Sequence, residues 1–230
     1  MTTQEYRQPR FVPPPGATEV LLVRHGESRA ATPDDPFPLL DGHGDPELHP
    51  NGRMQADLIA DRLRHEPLAA VYVSNLRRTN ETAAPLCRHL GLEPCVEPDL
   101  REVFLGDWEG GLFRIKAHEA DPVYLRMQAE ERWDVIPNGE SNEALTERIA
   151  AALERMRLAH PDAKVAAFVH GGVIATVLQM ASRSRPFAFT GAANGSISHI
   201  VLLEDRILIR SFNDCAHLAD TIVPGDSQLT

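Results

Sequence analysis

Three short, uninterrupted apolar runs constrain this chain most: Val20-Leu21-Leu22-Val23, Ala69 to Val73, and Lys164 to Val169. A run with no polar alternation suits a strand buried on both faces, as in a parallel sheet covered by helices. Segments with apolar residues at helical spacing separate the runs. Met54, Leu58, Ile59 and Leu63 predict a helix from Gly52 to Glu66, and a second follows from Thr79 to Leu90 with Gly91 as its stop. A long amphipathic helix is expected from Asn142, read as its N-cap, to His160, with Pro161 ending it, and another from Val173 to Ala181. The alternation predicts an α/β fold, a three-layer α/β/α sandwich with a mainly parallel sheet. Two last strands, about 197–203 and 207–212, turn at Glu204-Asp205 and read as a hairpin on an antiparallel edge.

The remainder is less regular. Residues 1–17 hold Pro9, Pro13, Pro14, Pro15 and Gly16 and read as an extended Pro-rich arm. Residues 32–52, rich in Pro, Asp and Gly, read as a long loop of the functional or mobile kind. Residues 112–133 read as helix broken at Pro122, and Pro137-Asn138-Gly139 as a turn. The expected organisation is one catalytic domain over 18–213, followed by a polar tail over 214–230.

Charge and cysteine content narrow the class of function. The 230 residues carry 33 acidic and 23 basic side chains, a formal charge of −10, which argues against broad binding to nucleic acid or an anionic membrane. If such a chain binds phosphate, its positive charge must be gathered in one place. The three cysteines, Cys87, Cys95 and Cys215, fit neither a disulfide framework nor a zinc knuckle. No run is long enough to span a bilayer and no leader pattern opens the chain, so the cytoplasm is the expected location.

In parallel α/β sheets ligands meet the carboxyl ends of the strands. Arg24-His25-Gly26-Glu27 follows the first apolar run and His170-Gly171-Gly172 follows the third. Glycine after each histidine lets backbone and ligand approach closely. An arginine fork matches phosphate oxygens, and an imidazole can itself attack and form a covalent intermediate. Ser74-Asn75-Leu76-Arg77-Arg78-Thr79 follows the second run and opens a helix, whose N-terminus favours anions. Leu100-Arg101-Glu102 and Gly106-Asp107-Trp108-Glu109-Gly110 add carboxylates in a loop.

Taken together, these motifs resemble the histidine phosphatase superfamily, also called the phosphoglycerate-mutase-like family. Leu22-Val23-Arg24-His25-Gly26-Glu27-Ser28 looks like its signature, and Ser74-x-Leu76-x-Arg78-Thr79-x-x-Thr82-Ala83 like its second motif. Glu102 with Gly106-x-Trp108-Glu109-Gly110 looks like the third and Val169-His170-Gly171-Gly172 like the fourth; Pro137-x-Gly139-Glu140-Ser141 also fits. The likeness runs in order over about residues 20–203. It implies the phosphoglycerate-mutase-like fold, His25 as nucleophile, and Arg24, Arg78 and His170 as ligands of the phosphoryl group. It further implies Glu102 as general acid, with no cofactor and no metal. A small phosphorylated substrate is the expected partner, and a homodimer is compatible with the family. Arg77 reads instead as a solvated helix charge, Glu27 and Glu109 as structural carboxylates, and Trp108 as a core or pocket-wall residue. Asp41-Gly42-His43-Gly44-Asp45 with His49 matches no zinc spacing and reads as a polar loop. His65, His89, His118, His160, His199 and His217 receive no role.

Within the family, the resemblance implies a phosphatase rather than a mutase. Phe113 stands where the mutase pattern has a lysine, Leu105 where it has a tyrosine, and Ala31 where an asparagine often follows the signature. Arg126 and Arg132 form no adjacent pair. Phe104, Leu105, Trp108 and Phe113 suggest a wall less polar than a bisphosphate site needs. Hydrolysis of small phosphomonoesters through a phosphohistidine is therefore the expected function. A cofactor-dependent phosphoglycerate mutase and a non-catalytic phosphate-binding scaffold are the alternatives.

Overall fold

A computed structural model describes residues 5–218. The three apolar runs are the central strands of a six-stranded sheet: β1 (Thr18–Arg24), β4 (Leu68–Val73) and β6 (Ala163–Val169). With β5 (Cys95–Val96), β7 (Ile197–Leu202) and β8 (Ile207–Asp214) the order is β5-β4-β6-β1-β7-β8. The first four strands in that order are parallel, and β7 and β8 form the antiparallel edge.

Strand period explains why the runs are continuously apolar. Val20 and Leu22 join one buried cluster, whereas Leu21 and Val23 join another on the opposite face. The first face is covered by α5 (Asn142–Ala159) and α6 (Gly171–Ser182), through Leu145, Ile149, Val173 and Val177. The second is covered by α1 (Pro50–Leu63) and α2 (Arg77–Leu90), through Ile59, Leu63, Ala83 and Leu86. This is the expected three-layer sandwich. A third cluster of Trp108, Phe113, Met127, Val135 and Ile136 lies under α3 (Leu112–His118) and α4 (Pro122–Glu130).

Register places the chemistry. Val23 and Val73 both pair with Phe168, so β1, β4 and β6 end level. Arg24-His25, Ser74 and His170 therefore emerge side by side at the carboxyl ends of the central strands.

The structure differs from expectation at several boundaries. The 32–52 segment contains a small hairpin of β2 (Leu39–Leu40) and β3 (His43–Gly44), and a Ser28–Leu48 bridge ties it to the first motif. Helix α1 starts at Pro50, with His49 Nδ1 accepting from Asn51 N at 3.3 Å. The N-cap of α5 is Ser141, whose hydroxyl accepts from Ala144 N at 3.1 Å; Asn142 is already helical. The Asn142 side chain instead anchors the preceding loop, accepting from Trp133 N at 3.2 Å and donating to Glu131 O at 2.8 Å. The proline expected to break the 112–133 helix is the first residue of α4, capped by Asp121. Ordered structure also continues past 213, because Ala216–Leu218 form a helical turn and Leu218 is buried. The rest of the expected tail lies outside the described residues, and 5–16 form no regular element. Among the described residues no helix is long and apolar enough to cross a membrane.

Candidate active site

His25 leaves the end of β1 with its backbone N–H bonded to Val169 O at 3.0 Å. Its ring is buried, 4% exposed, and its orientation is determined at both nitrogens. Nδ1–H donates to Gly26 O at 2.8 Å, and Arg78 Nε donates to Nε2 at 3.2 Å. Both bonds demand the same tautomer, with the proton on Nδ1 and the lone pair on Nε2. Burial, then the Arg78 and Arg24 charges, push the imidazole well below its usual range and keep it neutral. Gly26 is needed for space: a Cβ there would stand 2.5 Å from Gly52 O.

Arg24 and Arg78 are both buried, and burial lowers each guanidinium to about 10. Arg24 donates through Nη1 to Ala192 O, while its buried Nε has no partner among the described residues. Arg78, in the first turn of α2, donates through Nη1 to Gly44 O at 2.8 Å. No carboxylate forms an ion pair with either arginine among the described residues. Two buried cations so placed are costly unless an anion compensates them. His170 is fully buried against His25, with ring centroids 5.1 Å apart. Its Nε2 bonds Ser74 Oγ at 2.9 Å, and its Nδ1 is unpartnered among the described residues. Desolvation and the Arg78 charge also lower its pKa well below the usual value.

Arg24, His25, Arg78 and Glu102 line one cavity. Glu102 Oε1 accepts from Val103 N at 3.0 Å and from Gly172 N at 3.1 Å, at the N-terminus of α6. A Cβ on Gly172 would stand 2.6 Å from that oxygen, which accounts for the second glycine of the fourth motif. The structure thus brings all five predicted site residues together, although His170 packs behind the cavity lining rather than within it.

The other predicted residues fall into place around this centre. Glu109 accepts from Leu105 N at 2.9 Å and Gly44 N at 2.6 Å, and burial raises its pKa. It clamps the β2–β3 hairpin to the third motif, a structural task. Glu27 is exposed near His49 and Asn51, and Arg77 is exposed, paired with Glu81 at 2.6 Å. Leu105, Trp108 and Phe113 line the cavity, whereas Phe104 stands outside it, 5.1 Å from the His43 ring. The candidate metal loop is dispersed: Asp45 accepts from Arg77 N, His49 caps α1 and His43 lies on Phe104. No metal-ligating cluster occurs among the described residues.

Three contributors were not anticipated. Gly44, in the supposed open loop, supplies the acceptor for Arg78. Arg148 holds the third motif from below, with bonds to the carbonyls of Asp99, Arg101 and Glu102 at 2.7, 2.8 and 2.9 Å and to both oxygens of Glu140. Arg114, one residue past Phe113 on α3, brings a guanidinium into the cavity. The sequence reading notes Phe113 at the mutase lysine position and passes over its neighbour Arg114. The available signal was Gly110-Gly111, a flexible pair placing the start of α3 hard against Ala31 and Phe37.

The family model described as histidine phosphatase superfamily (branch 1) matches residues 20–215. The chain belongs to this superfamily. As a histidine phosphatase superfamily member it is an enzyme, and its sheet and helix layers are the phosphoglycerate-mutase-like fold. It is 34% identical to phosphoglycerate mutase-like protein 4 of Arabidopsis thaliana, over 88% of each chain. It is 29% identical to the metal-independent phosphoserine phosphatase of the same plant, over 88% of this chain and 84% of that one. Among solved structures, a mycobacterial glucosyl-3-phosphoglycerate phosphatase superposes with a TM-score of 0.72 at 25% identity, covering 86% of this chain and 99% of that one.

Proposed function

We propose that this enzyme is a metal-independent phosphatase of small phosphomonoesters that works through a phosphohistidine on His25. The observation that carries the reading is the neutral His25 ring, held by Gly26 O and Arg78 with its Nε2 lone pair beside two buried arginines that form no ion pair with a carboxylate among the described residues. In the first step Nε2 attacks phosphorus and the bond to the ester oxygen breaks. Arg24 and Arg78 offset charge on the phosphoryl oxygens, the neutral His170 ring supplies a hydrogen bond to them, and Glu102 gives the departing oxygen its proton. In the second step Glu102 takes a proton from water, whose oxygen attacks phosphorus and releases inorganic phosphate while Nε2 regains its lone pair.

The charge balance supports one phosphoryl group rather than two. The cavity gathers three guanidiniums, Arg24, Arg78 and Arg114, against the carboxylates of Glu102 and Glu109. That excess of about one positive charge is already used up by one phosphate ester, at about −1.5 to −2 near pH 7. A second phosphoryl group would face Leu105, Trp108, Phe113 and Trp133. This favours hydrolysis over the mutase reading, as does the phosphatase activity named for two of the relatives.

The test is a phosphomonoester panel run after exhaustive chelation, beside His25→Ala. Turnover should survive chelation and vanish in the variant, and a quenched reaction should carry acid-labile phosphate on His25. Activity that needs a divalent ion, or phosphate trapped on a serine, would overturn the reading. Conversion of 3-phosphoglycerate to its isomer faster than release of phosphate would establish the mutase instead.

A further inference from the structure

Arg114 belongs to none of the motifs that carry the family likeness, yet its guanidinium shares the cavity of Arg24, His25 and Arg78. It sits in the first turn of α3, and two bonds aim it. Nη1 donates to Arg29 O at 2.9 Å and Nη2 donates to Ser28 Oγ at 2.7 Å, both in the loop directly after the nucleophile. Its guanidinium carbon lies 5.2 Å from the centre of the Phe37 ring, which holds the fork from one side. No carboxylate forms an ion pair with it among the described residues, and burial lowers its pKa. Its charge acts on both Arg24 and Arg78.

Position 31 explains why there is room. The side chain there is a methyl group, and a Cβ on Gly111 would already stand 3.0 Å from it. A larger amide at 31 would hold the start of α3 away. With alanine, α3 closes on the first motif and carries Arg114 inward. The polar group absent from position 31 is replaced from a different element.

We propose that Arg114 is a third ligand of the phosphoryl group, completing from α3 the cradle begun by Arg24 and Arg78. The proposal rests on the reading of this cavity as a phosphoryl site, but its test does not require turnover. Inorganic phosphate is the probe, and binding is read as the rise in each variant's own melting temperature across a phosphate titration, so an altered baseline stability cancels. Arg114→Gln should weaken phosphate binding by about 10- to 100-fold, the range for losing a charge-assisted contact. Arg114→Lys, which keeps the charge but not the fork, should recover part of the loss. In the kinetic arm, Arg114→Gln should lower kcat/KM for p-nitrophenyl phosphate and for phosphoserine by similar factors, because both present the same phosphoryl group.

Three results would overturn the proposal. Phosphate affinity unchanged in Arg114→Gln would make the arginine a clamp on the Ser28–Arg29 loop. Loss confined to phosphoserine would assign it to the substrate's carboxylate. Equal weakening in Arg114→Lys and Arg114→Gln, with no recovery, would remove the charge from the explanation. If the wild type binds phosphate through Arg114 but hydrolyses no phosphomonoester, the proposed function fails and this inference stands. If it hydrolyses them and phosphate binding ignores Arg114, the reverse holds.

Discussion

Glu102 reaches the cavity because Val103 N and Gly172 N both hold Oε1, leaving Oε2 with one long contact of 3.4 Å. That arrangement leaves a single carboxyl oxygen largely free, as the proposed proton donor requires. Glu102→Gln keeps the size and one acceptor but cannot supply the proton. The expected outcome is a fall in kcat/KM of about 10²–10⁴-fold for alkyl phosphates, the usual worth of general acid catalysis. A much smaller fall is expected for p-nitrophenyl phosphate, whose leaving group needs no proton. Steady-state kinetics on the two substrates gives the ratio directly, and a folding defect would depress both alike. Equal losses would reduce Glu102 to positioning and turn attention to Glu109, whose carboxyl is raised by burial. At this scale the sequence was informative where a side chain stands at a strand end, as Arg24, His25 and His170 do. It said little of Arg114, whose direction depends on how closely α3 approaches Ala31; Gly110-Gly111 permits that approach but does not by itself encode it.

The element that carries Glu102 is a loop, and a loop can hold the proposed proton donor in place only if something rigid holds the loop. Arg148, on α5, donates to the carbonyls of Asp99, Arg101 and Glu102 around the third motif and to Glu140, which in turn accepts from Phe104 N at 3.0 Å. Both partners are about 10% exposed, at 10% and 13% for the side chains, and the Arg148 guanidinium holds the Glu140 carboxyl below its usual range. Removing one member of a buried pair leaves the other charged and uncompensated, at a cost of about 3–5 kcal/mol. Arg148→Ala should therefore lose stability of that order in denaturant unfolding and lose kcat, with KM changed less. A loss below about 1 kcal/mol would place the pair among ordinary surface bridges. The large elements were legible because their apolar periods are long: the three central strands, α1, α2, α5 and α6 all follow them. The two-residue strands β2, β3 and β5 were not, since two residues carry no period. Asn142 and Ser141 are equally good caps by type; tertiary demand from Trp133 N and Glu131 O decided between them.

Over the whole molecule, a chain of net charge −10 buries Arg24 and Arg78 at the carboxyl ends of the central strands, with two neutral histidines beside them. His25 and His170 are each held well below their ordinary pKa, first by burial and then by Arg78. In the unfolded chain both would take up protons near pH 6.5, whereas in the folded chain they stay neutral. The unfolded state thus binds more protons as the pH falls, and stability falls with it. The contribution is complete above about pH 6.5 and is lost progressively below it, at up to about 2.7 kcal/mol per pH unit for two groups. Glu109, raised by burial, acts in the opposite direction, but only near the carboxylate range. Denaturant unfolding at pH 7.5, 6.5 and 5.5 should show little change over the first interval and a marked loss over the second. The double variant His25→Asn, His170→Asn removes both titrating rings and should flatten the second interval. An undiminished slope in that variant would locate the proton uptake in other histidines, the buried His43 and the half-buried His217 first, since desolvation lowers both. Bound phosphate should steepen the contrast at neutral pH, because it compensates Arg24 and Arg78 only while the fold holds them together.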